Sequence, residues 1–233
     1  MKSKAILLGL GLLSSTAFAD GFNTQVGLEY LDADGLDVWG VQGSYFFETV
    51  DSNKGPWAEA AFLGRNSNLS LGYIDFDGSI DAVVLGAELF GDKNSNFYGA
   101  LSYVDYDSDF GVSGDVISGE LGYFFDDNWL VAVGTSDEDD APITLRTKYL
   151  SNLGGGQFFN LEAAIDDESK DLSVSGDYYF TPQTSVGLQL SQAEGFDYGV
   201  KFEHFLTRNV GFNVTYTATD DENITGVGLT ARF

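Results

Sequence analysis

The chain has 233 residues, 36 of them acidic against 11 basic, for a formal net charge of −25, and it contains no cysteine. That charge repels nucleic acid as a partner, and the missing cysteine excludes a disulfide scaffold. Aromatic residues at 15% and hydrophobic residues at 43% are far too abundant for a solvated, disordered tail.

Residues 1–19 fit an export signal: Lys2 and Lys4 precede an apolar run from Ala5 to Leu13, and Ala17-Phe18-Ala19 supplies a small-residue cleavage site. The expected division is a signal peptide at 1–19 and one folded unit at 20–233. Without Lys2 and Lys4, nine basic residues face 36 acidic ones, a net charge of −27. Beyond the signal no stretch offers ~18 uninterrupted apolar residues, so a membrane-spanning form must be a closed barrel.

Residues 22–31 alternate, with Thr24, Val26, Leu28 and Tyr30 on one face and Gln25, Gly27 and Glu29 on the other. Asp32-Ala33-Asp34-Gly35 makes a tight turn. Trp39, Val41, Tyr45 and Phe47 then line the apolar face of a second strand, opposite Gly40, Gln42 and Ser44. Asn53, Gly55 and Pro56 mark a connection. Residues 57–90 are expected to form one long hairpin with its tip at 75–79. Ala58, Ala60 and Phe62 point outward going up, and Val83, Leu85, Ala87 and Leu89 outward coming down. Within it, residues 64–70 fit either a strand reaching past the membrane or a loop, and 64–79 leaves room for a constricting loop.

Five more hairpins follow, with acidic tips near 105–114, 136–141, 166–171, 193–197 and 218–223. The opposite turns, at 126–128, 151–157, 181–183 and 207–209, are short. Strands enter these turns on aromatic runs, as in Tyr45-Phe46-Phe47, Tyr123-Phe124-Phe125 and Tyr178-Tyr179-Phe180. The last strand sets Val227, Leu229, Ala231 and Phe233 against Gly226, Gly228, Thr230 and Arg232.

Two strands for each of seven acidic tips predict an all-β, transmembrane, antiparallel up-and-down β-barrel of about 14 strands, with 12 or 16 also compatible. Both termini share the periplasmic end with the short turns, and the last strand is expected to close the sheet against residues 23–31. A soluble sandwich or solenoid would also alternate. It would gather its aromatics in one core, however, whereas here they cluster at strand ends opposite polar faces.

Turning the apolar face to lipid places Glu29, Glu59, Arg65, Glu88, Glu120, Arg146, Lys148, Glu162, Asp177, Lys201, Glu203 and Arg232 toward the lumen. A water-filled pore keeps such charges solvated and lets them pair, which predicts passive diffusion of small hydrophilic solutes or ions with mild cation preference. The same charges are also compatible with a cross-strand ladder that closes a narrow barrel, as in a structural or adhesive barrel, or with a channel for one substrate class. Asp105-Tyr106-Asp107-Ser108-Asp109 looks like the start of a calcium loop, but Phe110 and Val116 stand where an EF-hand needs Gly and Glu, so no metal site is expected. The single histidine, His204, shares the lipid-facing parity of Val200, Phe202 and Leu206, which suits an interfacial role rather than catalysis. Neither an enzyme activity nor a cofactor is expected.

The signal, the two-faced hairpins and the terminal Phe resemble Gram-negative outer-membrane β-barrels. Gly55-Pro56-Trp57-Ala58-Glu59-Ala60-Ala61-Phe62-Leu63, with the GYFF and GDYYF strand ends, is similar to the general bacterial porins of gamma-proteobacteria. That resemblance implies residence in the outer membrane among lipid and lipopolysaccharide. It also implies insertion by the barrel assembly machinery reading Phe233, passive transport, and scope for a homo-oligomer.

Overall fold

In the computed structural model the alternating segments pair edge to edge until no edge is left. The structure describes residues 21–33, 36–77, 79–91, 95–220 and 223–233. The expected export signal lies outside them, as do parts of three expected tips and of the turn at 91–96.

Among the described residues fourteen strands form. They are β1 (Gly21–Ala33), β2 (Leu36–Asp51), β3 (Asn68–Phe76), β4 (Ile80–Phe90), β5 (Phe97–Ser108), β6 (Gly114–Asp126), β7 (Trp129–Ser136), β8 (Thr144–Gly154), β9 (Gln157–Asp166), β10 (Leu172–Thr181), β11 (Thr184–Ser191), β12 (Phe196–Thr207), β13 (Val210–Thr219) and β14 (Asn223–Arg232). Each strand is antiparallel to its chain neighbours, and β14 returns to β1 in a register running from Gln25↔Arg232 to Ala33↔Ile224. Phe233 extends that seam, its carbonyl accepting from the N–H groups of Asn23 at 2.9 Å and Thr24 at 3.1 Å. Closure gives every strand a hydrogen-bonded neighbour on both sides, the condition for β-structure in hydrocarbon.

The outer face carries Leu28, Val41, Leu71, Leu101, Leu188 and Leu229, all exposed, and Leu121 is 77% exposed. In water this band would drive aggregation; against acyl chains it is the solvent-facing surface. Aromatic belts bound it at both ends. At the periplasmic end Phe97, Tyr123, Phe125, Trp129 and Tyr149 form a chain of rings with neighbouring centroids 5.4–6.4 Å apart. At the other end Tyr30 packs on Trp39 at 4.6 Å, and Tyr198 on Tyr216 at 6.2 Å.

Residues 57–64 depart from the expected hairpin. Trp57–Glu59 form a turn of 3₁₀ helix and Ala60–Gly64 a short α-helix, α1, which ends at Arg65 in the left-handed region (φ 51°). Pro56 fixes an entry conformation and has no N–H for a ladder, while Ala-Glu-Ala-Ala favours a helix over a strand. Ala58 and Ala60 are buried inside the protein, not presented to lipid, and Ala60 is 1% exposed.

This segment occupies the lumen. Although it connects β2 to β3, it touches the wall on both sides of that connection and beyond its neighbours, on β6, β12 and β14. Phe62 packs on Phe124 (5.6 Å), Trp57 packs on Phe205 (6.2 Å), and Arg232 Nη2 donates to the Trp57 carbonyl (2.8 Å). Only a segment inside the cylinder can reach all of these. Because the β2–β3 connection lies at the same end as the chain termini, it enters as a plug from the periplasmic side.

The plug explains the aromatic triplets. Their outer rings join the membrane belt, but the middle rings, Phe46, Phe124 and Tyr179, turn inward and are buried. With Phe22, Leu130, Leu150, Phe158 and Phe205 they make an apolar floor that receives Ala58, Ala60, Phe62 and Leu63. The plug's own large side chains, Trp57, Phe62 and Leu63, are partly buried there, so each contributes less than the roughly 1.5–3 kcal/mol of full burial to seating it.

Candidate functional site

Above the floor the lumen is organised by a repeated device: charged side chains on alternate strands reach over a small residue on the strand between. Glu120 on β6 stands opposite Gly134 on β7, and Arg146 on β8 stands opposite Ala132 of the same strand. Across that low strand Arg146 grips Glu120 with both ends of its guanidinium, Nη2 to Oε2 at 2.7 Å and Nε to Oε1 at 2.8 Å. Asp177 on β10 and Lys201 on β12 both stand opposite Gly187 on β11, and they pair over it at 3.1 Å.

Lys148 and Glu162 are direct cross-strand partners on β8 and β9, with Nζ to Oε1 at 2.7 Å. Lys148 also holds Glu59 of the plug at 2.9 Å, and the Tyr179 hydroxyl donates to the other oxygen of Glu59 at 3.2 Å. Asn160 joins the two groups by donating to Glu162 (3.1 Å) and Asp177 (3.4 Å). Removing one member of such a sheltered pair strands its partner and costs about 3–5 kcal/mol.

Of the twelve charges expected in the lumen, ten lie on strands. Glu29 stands opposite Gly40 and Gly228 on the neighbouring strands. Glu88 accepts from Asn68 (3.0 Å) and Tyr98 (2.9 Å), and Glu203 lies between Ser185 and Asn213. The remaining two belong to the plug: Glu59, which was expected on a strand, and Arg65, whose stretch fitted either a strand or a loop. Arg65 lies over the Phe124 ring (4.1 Å) and reaches Asp127 (3.4 Å). Arg232 is 0% exposed: its guanidinium lies 4.7 Å from the Phe22 ring and 4.6 Å from the Phe205 ring, under the plug rather than in open solvent. Reasoning from charge alone missed Tyr98, Asn160 and Tyr179, the neutral linkers of the network. They share inward parity with Ala100, Glu162 and Asp177, which was the available signal.

His204 Nδ1 lies 2.9 Å from Thr184 Oγ1, and its ring packs on Phe212 at 5.8 Å. Among the described residues no group of three or more His, Cys, Asp or Glu is arranged to hold a metal.

The Gly187 bridge gives a direct test. A Cβ added there would lie 2.5 Å from Asp177 Oδ1 and 3.5 Å from Lys201 Cβ. Gly187→Val is therefore expected to part the pair and destabilise the barrel by about 1–3 kcal/mol, as overpacking does. The readout is the urea midpoint of the heat-modifiable, folded band in detergent. An unchanged midpoint would mean that the pair is dispensable.

A closed fourteen-strand barrel, apolar outside, charge-paired inside and stoppered from one end, is the barrel of an outer-membrane channel. The chain belongs to the family described as "putative general bacterial porin", which matches residues 1–145 and 135–233. No curated protein gives a match. Among solved structures it is similar to the outer membrane protein Omp33 of Acinetobacter baumannii, at 26% identity and a TM-score of 0.84 over 93% of this chain and 100% of that one. A KdgM porin in complex with disordered oligogalacturonate matches at 12% identity and a TM-score of 0.51, over 90% of this chain and 99% of the other, a likeness of fold.

Proposed function

We propose that the protein is a diffusion porin that rests closed and passes small hydrophilic solutes or ions when the plug leaves the floor. The observation that carries this reading is the plug itself: a fifteen-residue connection, 52–66, is lodged in a polar, ion-paired lumen by non-covalent contacts alone. Mild cation preference follows from the seven acidic and five basic residues expected in the lumen, together with the acidic tips at the mouth. Glu59 and Arg65 withdraw together, so opening leaves that balance unchanged.

Export by cleavage after Ala19, residence among outer-membrane lipid and lipopolysaccharide with a solvated acidic mouth, and reading of Phe233 by the assembly machinery complete the proposal. Deleting Phe233 is expected to lower the yield of folded protein in the membrane fraction several-fold; equal yield would remove its targeting role.

Recordings in planar bilayers, with folded wild-type protein and a variant carrying a Gly-Ser turn in place of residues 52–66, test the channel reading. Brief openings from a closed baseline are expected for the wild type, with a reversal potential of cationic sign in a salt gradient. Silence of both proteins, each shown to be folded, would favour a closed structural barrel.

A further inference from the structure

We propose that Glu59 is a tethered stand-in for a ligand: its carboxylate fills a site on the lumen wall that binds the carboxylate of a small solute once the plug withdraws. Its only debt to the channel reading is the solute's route to the site, not the binding itself.

Glu59 is the one charged residue in Trp57-Ala58-Glu59-Ala60-Ala61-Phe62-Leu63, and it is 8% exposed. A carboxylate carried into so apolar a seat is costly unless donors await it. They do: Lys148 Nζ at 2.9 Å takes one oxygen and the Tyr179 hydroxyl at 3.2 Å the other. Both donors belong to the wall, on β8 and β10, so both remain when the plug leaves. Lys148 is already paired with Glu162 at 2.7 Å, so Glu59 is a second carboxylate on an ammonium that has its own counter-ion.

An ammonium N–H and a phenol O–H aimed at the two oxygens of one carboxylate form a recognition pair that any small carboxylate can use. Arg232 points the same way. It donates to the carbonyl of Trp57, two residues before Glu59, while its Nε and Nη1 are buried without a partner. The wall thus holds donor capacity beside the plug that the plug does not use.

Competition follows by linkage. A solute that binds only the uncovered wall shifts the equilibrium toward the open form, because it has no access to the site in the closed one. Glu59 then acts as an autoinhibitor that carboxylate solutes displace.

Calorimetric titration of succinate, with neutral succinamide as control, tests this on full-length folded protein in detergent. The 52–66 replacement is expected to bind succinate saturably and the wild type about a thousandfold more weakly, since closure hides the site in all but the small open fraction. Lys148→Met with Tyr179→Phe in the replacement background should abolish binding, and succinamide should not bind to any form. Glu59→Ala, which keeps the plug backbone, should bind more tightly than wild type and serves if the replacement misfolds. Absence of saturable binding to both the replacement and E59A, or equal binding to succinamide, would overturn the proposal. Conductance without succinate binding sinks this inference and spares the channel; binding without conductance does the reverse.

Discussion

Replacing residues 52–66 by a Gly-Ser turn is expected to turn a barrel that rests closed into one that conducts continuously. The length of the turn follows from the ladder. β2 pairs with β3 as far as Phe46↔Asn68, and the Phe47 N–H still reaches the Ser67 carbonyl at 3.0 Å. The end of β2 then runs on, pairing with β1 as far as Gly21↔Asp51. A replacement must therefore come back from Asp51 to Ser67 across four strand residues, ~13 Å, which about five or six flexible residues span. Those residues have no side chains to lodge in the floor.

The size of the effect depends on what holds the plug. Phe62 on Phe124, Trp57 on Phe205, and the buried Ala58 and Ala60 supply apolar contact; Glu59 and the Trp57 carbonyl supply polar anchors. If the surplus over the entropy of ordering the loop is only about 4 kcal/mol, the open form is about a thousandth of the population. Deleting the plug should then raise mean conductance by roughly two to three orders of magnitude, limited above by full occupancy of the open state. Bilayer recordings and liposome swelling in arabinose read it directly. A folded replacement that stays as closed as the wild type would place the barrier elsewhere in the lumen.

The sequence made the barrel legible because its signals are additive. Seven acidic tips give fourteen strands, and the parity set by Val227, Leu229, Ala231 and Phe233 carries round a sheet whose closure at Gln25↔Arg232 leaves no edge. The plug was hidden for the opposite reason. Five residues of α1 are too few to show a 3.6 period, and Ala58, Ala60 and Phe62 also suit a strand of period two. Pro56 and the run of alanines were the local contrary signals.

Pairing among the lumen charges was equally out of reach without register. Glu120 and Arg146 are 26 positions apart and two strands distant, and only the facing residues, Gly134 and Ala132, show why they meet. The middle residue of each aromatic triplet teaches the same lesson. Phe46, Phe124 and Tyr179 have the chemistry of a membrane girdle but the parity of a core, and parity decides.

Arg232→Met is expected to leave the barrel as stable as before, or more so, while raising the open fraction about 10- to 100-fold. The guanidinium has no solvent, lies between the Phe22 and Phe205 rings, and makes one hydrogen bond, to the Trp57 carbonyl. Taking it out of water costs several kcal/mol, against about 1–2 kcal/mol from each ring face and about 1.5–3 from the charged hydrogen bond. These terms nearly offset, so the charge is a poor investment for the barrel alone. Met keeps a stem between the rings without the desolvation, whereas Arg232→Ala opens a cavity there and should cost about 2–5 kcal/mol. The strand hydrogen bond from the Arg232 N–H to the Asn209 carbonyl, at 2.9 Å, survives either change. What both variants lose is the tie to Trp57, and 1.5–3 kcal/mol is about one to two factors of ten in plug release. Urea midpoints and open probability, measured on the same two variants, separate the roles. If R232M loses as much barrel stability as R232A, the cation holds the wall. If only open probability moves in R232M, it is a latch, placed on the closing strand where the seated plug and the finished barrel are sensed by one side chain.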